Sequence, residues 1–229
     1  MKLKEIIEFI DENIPKKLAL KSDEIGFKKE YDLNQDINSI KIYMDLYPEF
    51  DTKEPNTLIL THHPPLFIPE TPTYTIHSNW DIITPGANEA LAKSLNLEVV
   101  SAFDKSTNIG RICKTDKKFH DFKKDILASF KEVRIVNKPE TNKQLNQVGI
   151  ISGFGLKNPN YIKLASKLNL DLLISGDLTQ ETAILAKNLN ITLIDLGHHN
   201  SEVPGLYELE KLLKPLNIKC KVIDINPWD

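Results

Sequence analysis

Cysteine is nearly absent from this chain of 229 residues: only Cys113 and Cys220 occur, far apart. Neither stands in a Cys-x-x-Cys spacing, which excludes a zinc ribbon or a thioredoxin-like motif and leaves two reduced, mostly buried thiols. Long apolar runs are also missing; nothing approaches the ~20 residues that cross a bilayer. The first ten residues, MKLKEIIEFI, are charged at every turn and read as an amphipathic helix, not a signal peptide. The expected setting is cytoplasmic, away from membranes. A charge excess is lacking too. The net charge of -3 gives no global reason to bind nucleic acid, although the 29 Lys and Arg can still cluster locally. No glycine-rich phosphate loop of the Walker type is present.

Histidine is what stands out. Four of the six histidines form two adjacent pairs. The first lies in Leu58-Ile59-Leu60-Thr61-His62-His63-Pro64-Pro65, where a short apolar run ends in two imidazoles and two prolines stop further regular structure. The second, His198-His199, follows the apolar run 191–196 and Gly197.

Helical and strand periodicities alternate along the chain. Helices are expected over 2–13, 85–95, 119–130, 160–168, 179–189 and 203–216. Strands are expected over 37–46, 57–60, 97–102, 133–136, 148–151, 170–174, 191–196 and 220–225, with 109–113 a strand or a return loop. The proline- and threonine-rich stretch 69–85 reads as a loop or extended segment. This alternation predicts an α/β protein of two lobes with mixed, largely parallel sheets. A polar break at 103–118 suggests lobes of 1–116 and 117–229, with the last helix and strand able to return to the first lobe.

Several strand ends carry chemistry. Adjacent strand residues point to opposite faces, so the rings of His62 and His63 diverge unless the Pro64-Pro65 turn brings both to one cleft. They then suit metal binding, or are satisfied by backbone hydrogen bonds. Asp104 follows the strand 97–102, at the edge where open α/β sheets place ligands; alone it reads as a turn aspartate. His198 and Glu202 are four apart and share a helix face if a helix begins there. His199 reads as supporting or structural. Asp177, in Ser175-Gly176-Asp177, either caps the next helix or orients a ligand histidine; the cap is the plainer reading. Asp195 and His77 are further candidates with equally plain alternatives. Imidazoles with two carboxylates suit a pair of divalent transition ions, Zn, Fe or Mn, whose activated water attacks a scissile bond. Lys114 to Lys124 interleaves basic and aromatic residues in the manner of single-strand-binding surfaces, or is a solvated helix face.

Thr61-His62-His63-Pro64, Asp104 with Gly110, Ser175-Gly176-Asp177-Leu178-Thr179-Gln180-Glu181-Thr182 and Gly197-His198-His199-Asn200-Ser201-Glu202 occur in this order. In this the chain closely resembles the YbgI-like, Nif-three-like family of dinuclear-metal proteins, often described as GTP cyclohydrolase I type 2 homologues. Asp23-Glu24-Ile25-Gly26-Phe27 is similar to the family's Trp-Asp-Asn-x-Gly-Leu segment, without its tryptophan and asparagine. The resemblance covers nearly the whole chain. It implies His62, His63, Asp104, His198 and Glu202 as ligands of two ions, with Asp104 and Glu202 bridging and assisting water activation. It also implies two α/β lobes with the metals in the cleft, and a homohexamer built as a trimer of dimers. The aspartate segment of many members reads His-Thr-x-Leu-Asp, whereas Ala102-Phe103 precede Asp104 here. Two functions are carried forward. One is a metal-dependent hydrolase acting on a nucleotide-like, phosphoester or cyclic amide small molecule. The other is a ring-shaped module with structural metals that binds single-stranded DNA or a protein.

Overall fold

The computed structural model describes residues 1–228. In chain order its elements are α1 (Leu3–Asn13), β1 (Gly26–Phe27), β2 (Ser39–Tyr43), β3 (Thr57–Thr61), β4 (Thr73–Thr75), α2 (Ser78–Ile82), α3 (Ala87–Ser94), β5 (Glu98–Ala102), β6 (Arg111–Lys114), α4 (Phe119–Ser129), β7 (Arg134–Val136), β8 (Gln147–Ile150), α5 (Pro159–Lys167), β9 (Leu172–Ser175), α6 (Gln180–Asn188), β10 (Thr192–Asp195), α7 (His198–Leu212) and β11 (Lys219–Ile223). None of these helices is long and apolar enough to cross a membrane.

The chain forms two compact α/β units: Met1–Gly86 joined by the stretch from Leu206, and Ala87–Gly205. The first unit holds a five-stranded sheet of order β1-β4-β3-β2-β11. β11, β2, β3 and β4 run parallel, and only β1 is antiparallel, at the edge. Every residue of β3 is buried, which is why its sequence is a continuous apolar run without alternation. Against this sheet's unit α1 contributes Leu3, Ile6, Ile7 and Ile10, one buried stripe at helical spacing. Its first turn is closed by Glu5, whose carboxylate accepts from the Lys2 backbone N at 2.7 Å.

The second unit holds a six-stranded sheet of order β5-β6-β8-β9-β10-β7. β8, β9 and β10 run parallel, while β5, β6 and β7 add antiparallel pairings. Its core gathers Leu91, Phe119, Phe122, Val148, Leu172 and Ile194 among others.

The observed division differs from the expected boundary at 116/117. The polar break at 103–118 contains β6, which pairs with both β5 and β8, so these strands belong to the second unit. The stretch 69–85 is not only a loop: β4 and α2 lie within it. Its short strand has no alternation to read because all three residues are buried. α7 begins at His198, five residues earlier than its periodicity suggests.

Candidate metal centre

The parallel register of the first sheet decides what meets at its carboxyl edge. Tyr43, Thr61 and Thr75 are register partners across β2, β3 and β4. Two residues beyond each lie Asp45, His63 and His77. Three segments far apart in sequence therefore deliver an acid and two imidazoles to one rim, where ligands of open α/β sheets sit. His62, one residue past β3, joins them: its ring centroid is 5.0 Å from that of His63 and 5.1 Å from that of His77. The turn at Pro64-Pro65 thus keeps the two adjacent rings side by side instead of on opposite faces.

Each ring is oriented through Nδ1. For His62 the partner is the Ile76 carbonyl at 3.1 Å. A carbonyl only accepts, so Nδ1 carries the proton and the lone pair lies on Nε2. His63 Nδ1 meets Asp45 Oδ1 at 2.8 Å, and His77 Nδ1 meets Asp23 Oδ1 at 2.6 Å. Asp23 is itself held by the backbone N of Ser78 at 2.9 Å and by the Ser78 hydroxyl. Burial raises its carboxyl, but the hydrogen bonds and charge of His77 and Ser78 outweigh this and bring it down to about 2. An imidazole oriented at Nδ1 by an oxygen acceptor, with Nε2 turned outward, is the arrangement that metal-ligating histidines adopt.

Asp81 supplies a carboxylate on the same rim. It lies in α2, buried, with Oδ1 3.7 Å from His62 Nε2. Asp104 does something else. Its carboxylate accepts from the Ser106 backbone N at 2.9 Å, the Ser106 hydroxyl at 2.7 Å and the Thr107 hydroxyl at 2.8 Å. Burial raises its carboxyl and these bonds more than offset that, so it stays below the usual carboxylate range. Asp104 closes its own turn and, among the described residues, joins no histidine group. The segment His77-Ser78-Asn79-Trp80-Asp81 is also similar to the His-Thr-x-Leu-Asp pattern and has the histidine four residues before the aspartate that Asp104 lacks. The signal was present in the sequence, but it sits in the stretch expected to be a loop. Asp45 carries no local signal, and Asp23 is marked only by the similarity of the segment 23–27 to the family.

The second unit repeats the design on β8, β9 and β10, whose carboxyl ends continue into Ser152-Gly153, Gly176-Asp177 and Gly197-His198. His198 and Glu202 share a face of α7, Nε2 to Oε2 at 3.1 Å. His198 Nδ1 meets Asp177 Oδ2 at 2.9 Å. The cap of α6 is Thr179, whose side chain accepts from Thr182 N, so Asp177 serves His198 and not the helix. Burial pulls the His198 imidazole down, but the hydrogen bonds and charges of Asp177 and Glu202 push it up to about 10. Two carboxylates around one ring mark a place where positive charge is stabilised, by a proton or by a cation. Glu202 is buried in a cradle made by Gly153: a Cβ there would lie 2.1 Å from Glu202 Oε1. His199 is buried in α7, and Asp195 pairs with Arg134 on β7, a structural role. The donor set of imidazole nitrogens and carboxylate oxygens fits divalent transition ions.

The interleaved run 114–124 resolves differently. Phe119 and Phe122 are core residues of α4, so the aromatic members face inward and the run is the solvated face of an amphipathic helix.

Residues 70–227 match the Duf34/NIF3 (NGG1p interacting factor 3) family. A protein of Methanothermobacter thermautotrophicus named GTP cyclohydrolase 1 type 2 homolog is 34% identical over 230 residues, covering 100% of this chain and 95% of that protein. A protein of the same name from Methanocaldococcus jannaschii is 30% identical, covering 99% and 100%. Among solved structures, reduced HcgD from Methanocaldococcus jannaschii superposes with a TM-score of 0.85 at 28% identity over 98% of each chain. YbgI, a protein of unknown function, superposes with a TM-score of 0.82 at 17% identity over 99% of each chain, a likeness of fold. Family match, identity and fold agree, and the chain belongs to the Duf34/NIF3 family.

Proposed function

We propose that this protein is a metal-dependent hydrolase whose two divalent ions are held by His62, His63, Asp81, His198 and Glu202. The observation that carries the reading is the shared anchoring of the imidazoles: His62, His63 and His198 are each hydrogen-bonded through Nδ1 to an oxygen acceptor. Asp45 and Asp177 hold the rings in place, and such partners raise the basicity of the nitrogen that faces a metal. Asp81 takes the part first expected of Asp104, because it is buried beside His62 whereas Asp104 is engaged in its own turn. Asp81 and Glu202 each offer two oxygens and so suit bridging positions. Bound ions of this kind supply Lewis acidity, which acidifies water and polarises an ester, amide or ring carbon–nitrogen bond. The chain's own residues orient the ligands and keep Glu202 in a dry cradle. The substrate class is a nucleotide-like, phosphoester or cyclic amide small molecule, in line with the names of the relatives. Assembly as a hexamer, a trimer of dimers, belongs to the same proposal and is tested by light scattering.

The test is elemental analysis of protein purified without a metal-binding tag, followed by a screen of phosphodiesters, nucleotides and cyclic amides. About two ions per chain are expected for a two-metal site. Turnover should vanish on chelation, return with added metal and be lost in Glu202→Gln. Fewer than one ion per chain, or turnover indifferent to chelation, would overturn the reading. Binding of single-stranded DNA would be the alternative, but its sequence basis is weakened by the burial of Phe119 and Phe122.

A further inference from the structure

Two serines beside the second unit's site have no part in the ligand set above, yet both are fully buried: Ser175 at the end of β9 and Ser201 in α7. Their hydroxyls converge on one glycine. Gly153 N donates to Ser201 Oγ at 2.8 Å, and Gly153 O accepts from Ser175 Oγ at 3.1 Å. The other half of each hydroxyl is also engaged with main chain. Ser201 Oγ donates to His198 O at 2.8 Å, and Ser175 Oγ accepts from Gly155 N at 2.9 Å. A carbonyl only accepts and an amide N–H only donates, so the direction of every one of these bonds is fixed.

The rest of the turn is tied in the same way. Ser152 N donates to Oδ1 of the fully buried Asn88 at 2.9 Å, and Gly176 N donates to Gly153 O at 2.7 Å. The peptide groups of Gly153 therefore cannot turn over without leaving buried polar groups unpaired. What this turn faces is Glu202. A Cβ on Gly153 would lie 2.1 Å from Glu202 Oε1 and 2.9 Å from its carboxyl carbon, and one on Gly176 would lie 2.6 Å from His198 Cα. Two backbone turns thus lie against the pair whose Nε2 and Oε2 are 3.1 Å apart. The last torsion of a glutamate is broad, so a fixed wall at this range decides how its carboxylate is turned.

We propose that Ser175 and Ser201 are positioning residues: by clamping the C=O and the N–H of Gly153, they hold the Glu202 carboxylate in one orientation beside His198. This deepens the two-ion reading and rests on it for the cation that Glu202 receives. A contribution to stability alone would make any buried hydroxyl of this sheet equivalent, and Thr192 supplies that comparison. It is buried at the start of β10, away from His198, and its hydroxyl donates to Asn137 O at 2.8 Å.

The test takes full-length Ser175→Ala, Ser201→Ala and Thr192→Val, with thermal melting measured for each. Metal-free protein is titrated with Co²⁺ and followed by visible absorption. Both serine variants should weaken the Glu202-dependent binding about 10–100-fold, the usual loss for an orienting partner, and change its absorption band. Thr192→Val should lose stability with affinity and band unchanged. Ser201→Ala combined with Glu202→Gln should bind no more weakly than Glu202→Gln alone, because the serine acts through the carboxylate. Crystal structures of the metal-free serine variants read the positioning without an ion: the Glu202 carboxylate should leave its 3.1 Å contact with His198 Nε2. Glu202 unmoved in both variants, or an equal loss of affinity in Thr192→Val, would overturn the inference and leave the two-ion reading intact. Co²⁺ binding by wild type that is indifferent to Glu202→Gln would sink the two-ion reading, and the position of Glu202 in the variant crystals would then decide the inference by itself.

Discussion

Asp177 Oδ2 lies 2.9 Å from His198 Nδ1, and Asp177 reaches that point from a left-handed backbone conformation, φ 61°. A non-glycine residue in that region is held there by its surroundings. The bond fixes the ring that shares α7 with Glu202. Asp177→Asn preserves shape and removes the charge, so metal affinity should fall about 10–100-fold with little change in melting temperature. Equal metal content in variant and wild type after dialysis against a weak chelator would refute the orienting role.

Gly153 should tolerate no side chain. Its φ is +77°, and an added Cβ would meet Glu202 Oε1 at 2.1 Å and His198 Nε2 at 3.3 Å. Gly153→Ala is expected to cost about 1–3 kcal/mol through backbone strain and to displace the Glu202 carboxylate. Urea unfolding and metal content should fall together. The control is Gly149→Ala, where the close atoms are Leu170 Cδ1 and Leu173 Cδ1, so stability should suffer without a specific loss of metal.

Acid sensitivity should be traceable in part to Asp51. Its carboxylate accepts from the backbone N of Glu70 at 2.6 Å and of Thr71 at 2.9 Å, tying down the segment before β4. Burial raises this carboxyl, but the Thr71 and Glu70 hydrogen bonds prevail and hold it below its ordinary value. A folded-state value below the unfolded one stabilises above the unfolded value, roughly pH 4 for aspartate, and that stability is lost as pH falls through the folded value. Asp51→Asn should be about 1 kcal/mol less stable than wild type at pH 7, with the gap closing below about pH 4. A pH-independent gap in urea midpoints would contradict this.

Strand β3 couples stability to the centre because it carries both His62 and His63 at its end. Leu60 is fully buried in that strand. Leu60→Ala should cost about 2–5 kcal/mol, the usual range for a buried leucine truncation. Calorimetric melting in the metal-free state reads this without interference from ion binding; an unchanged melting temperature would place the core elsewhere.

Much of the fold was readable from pattern. The apolar run before His62 marks a strand buried on both faces, and the stripe Leu3, Ile6, Ile7 and Ile10 marks α1. The spacing of His198 and Glu202 foretold a shared helix face, because four residues are about one helical turn. Thr73–Thr75 was not readable: three residues are too few to show a period, and all are buried. The polar connection between β5 and β6 looks like a linker until β6 is seen beside β8.

By itself the sequence determined the α/β class, the two His-His pairs at strand ends and the helical pairing of His198 with Glu202, all consequences of local periodicity. Only the tertiary structure decided which acids serve the imidazoles. Asp45, Asp23 and Asp81 come to the rim through strand pairing and the packing of α2, and Asp104 turns inward on Ser106 and Thr107. Local sequence reports what each segment prefers, but the parallel register of β2, β3 and β4 places Asp45 beside His63 and His63 beside His77, and register is a property of the whole sheet.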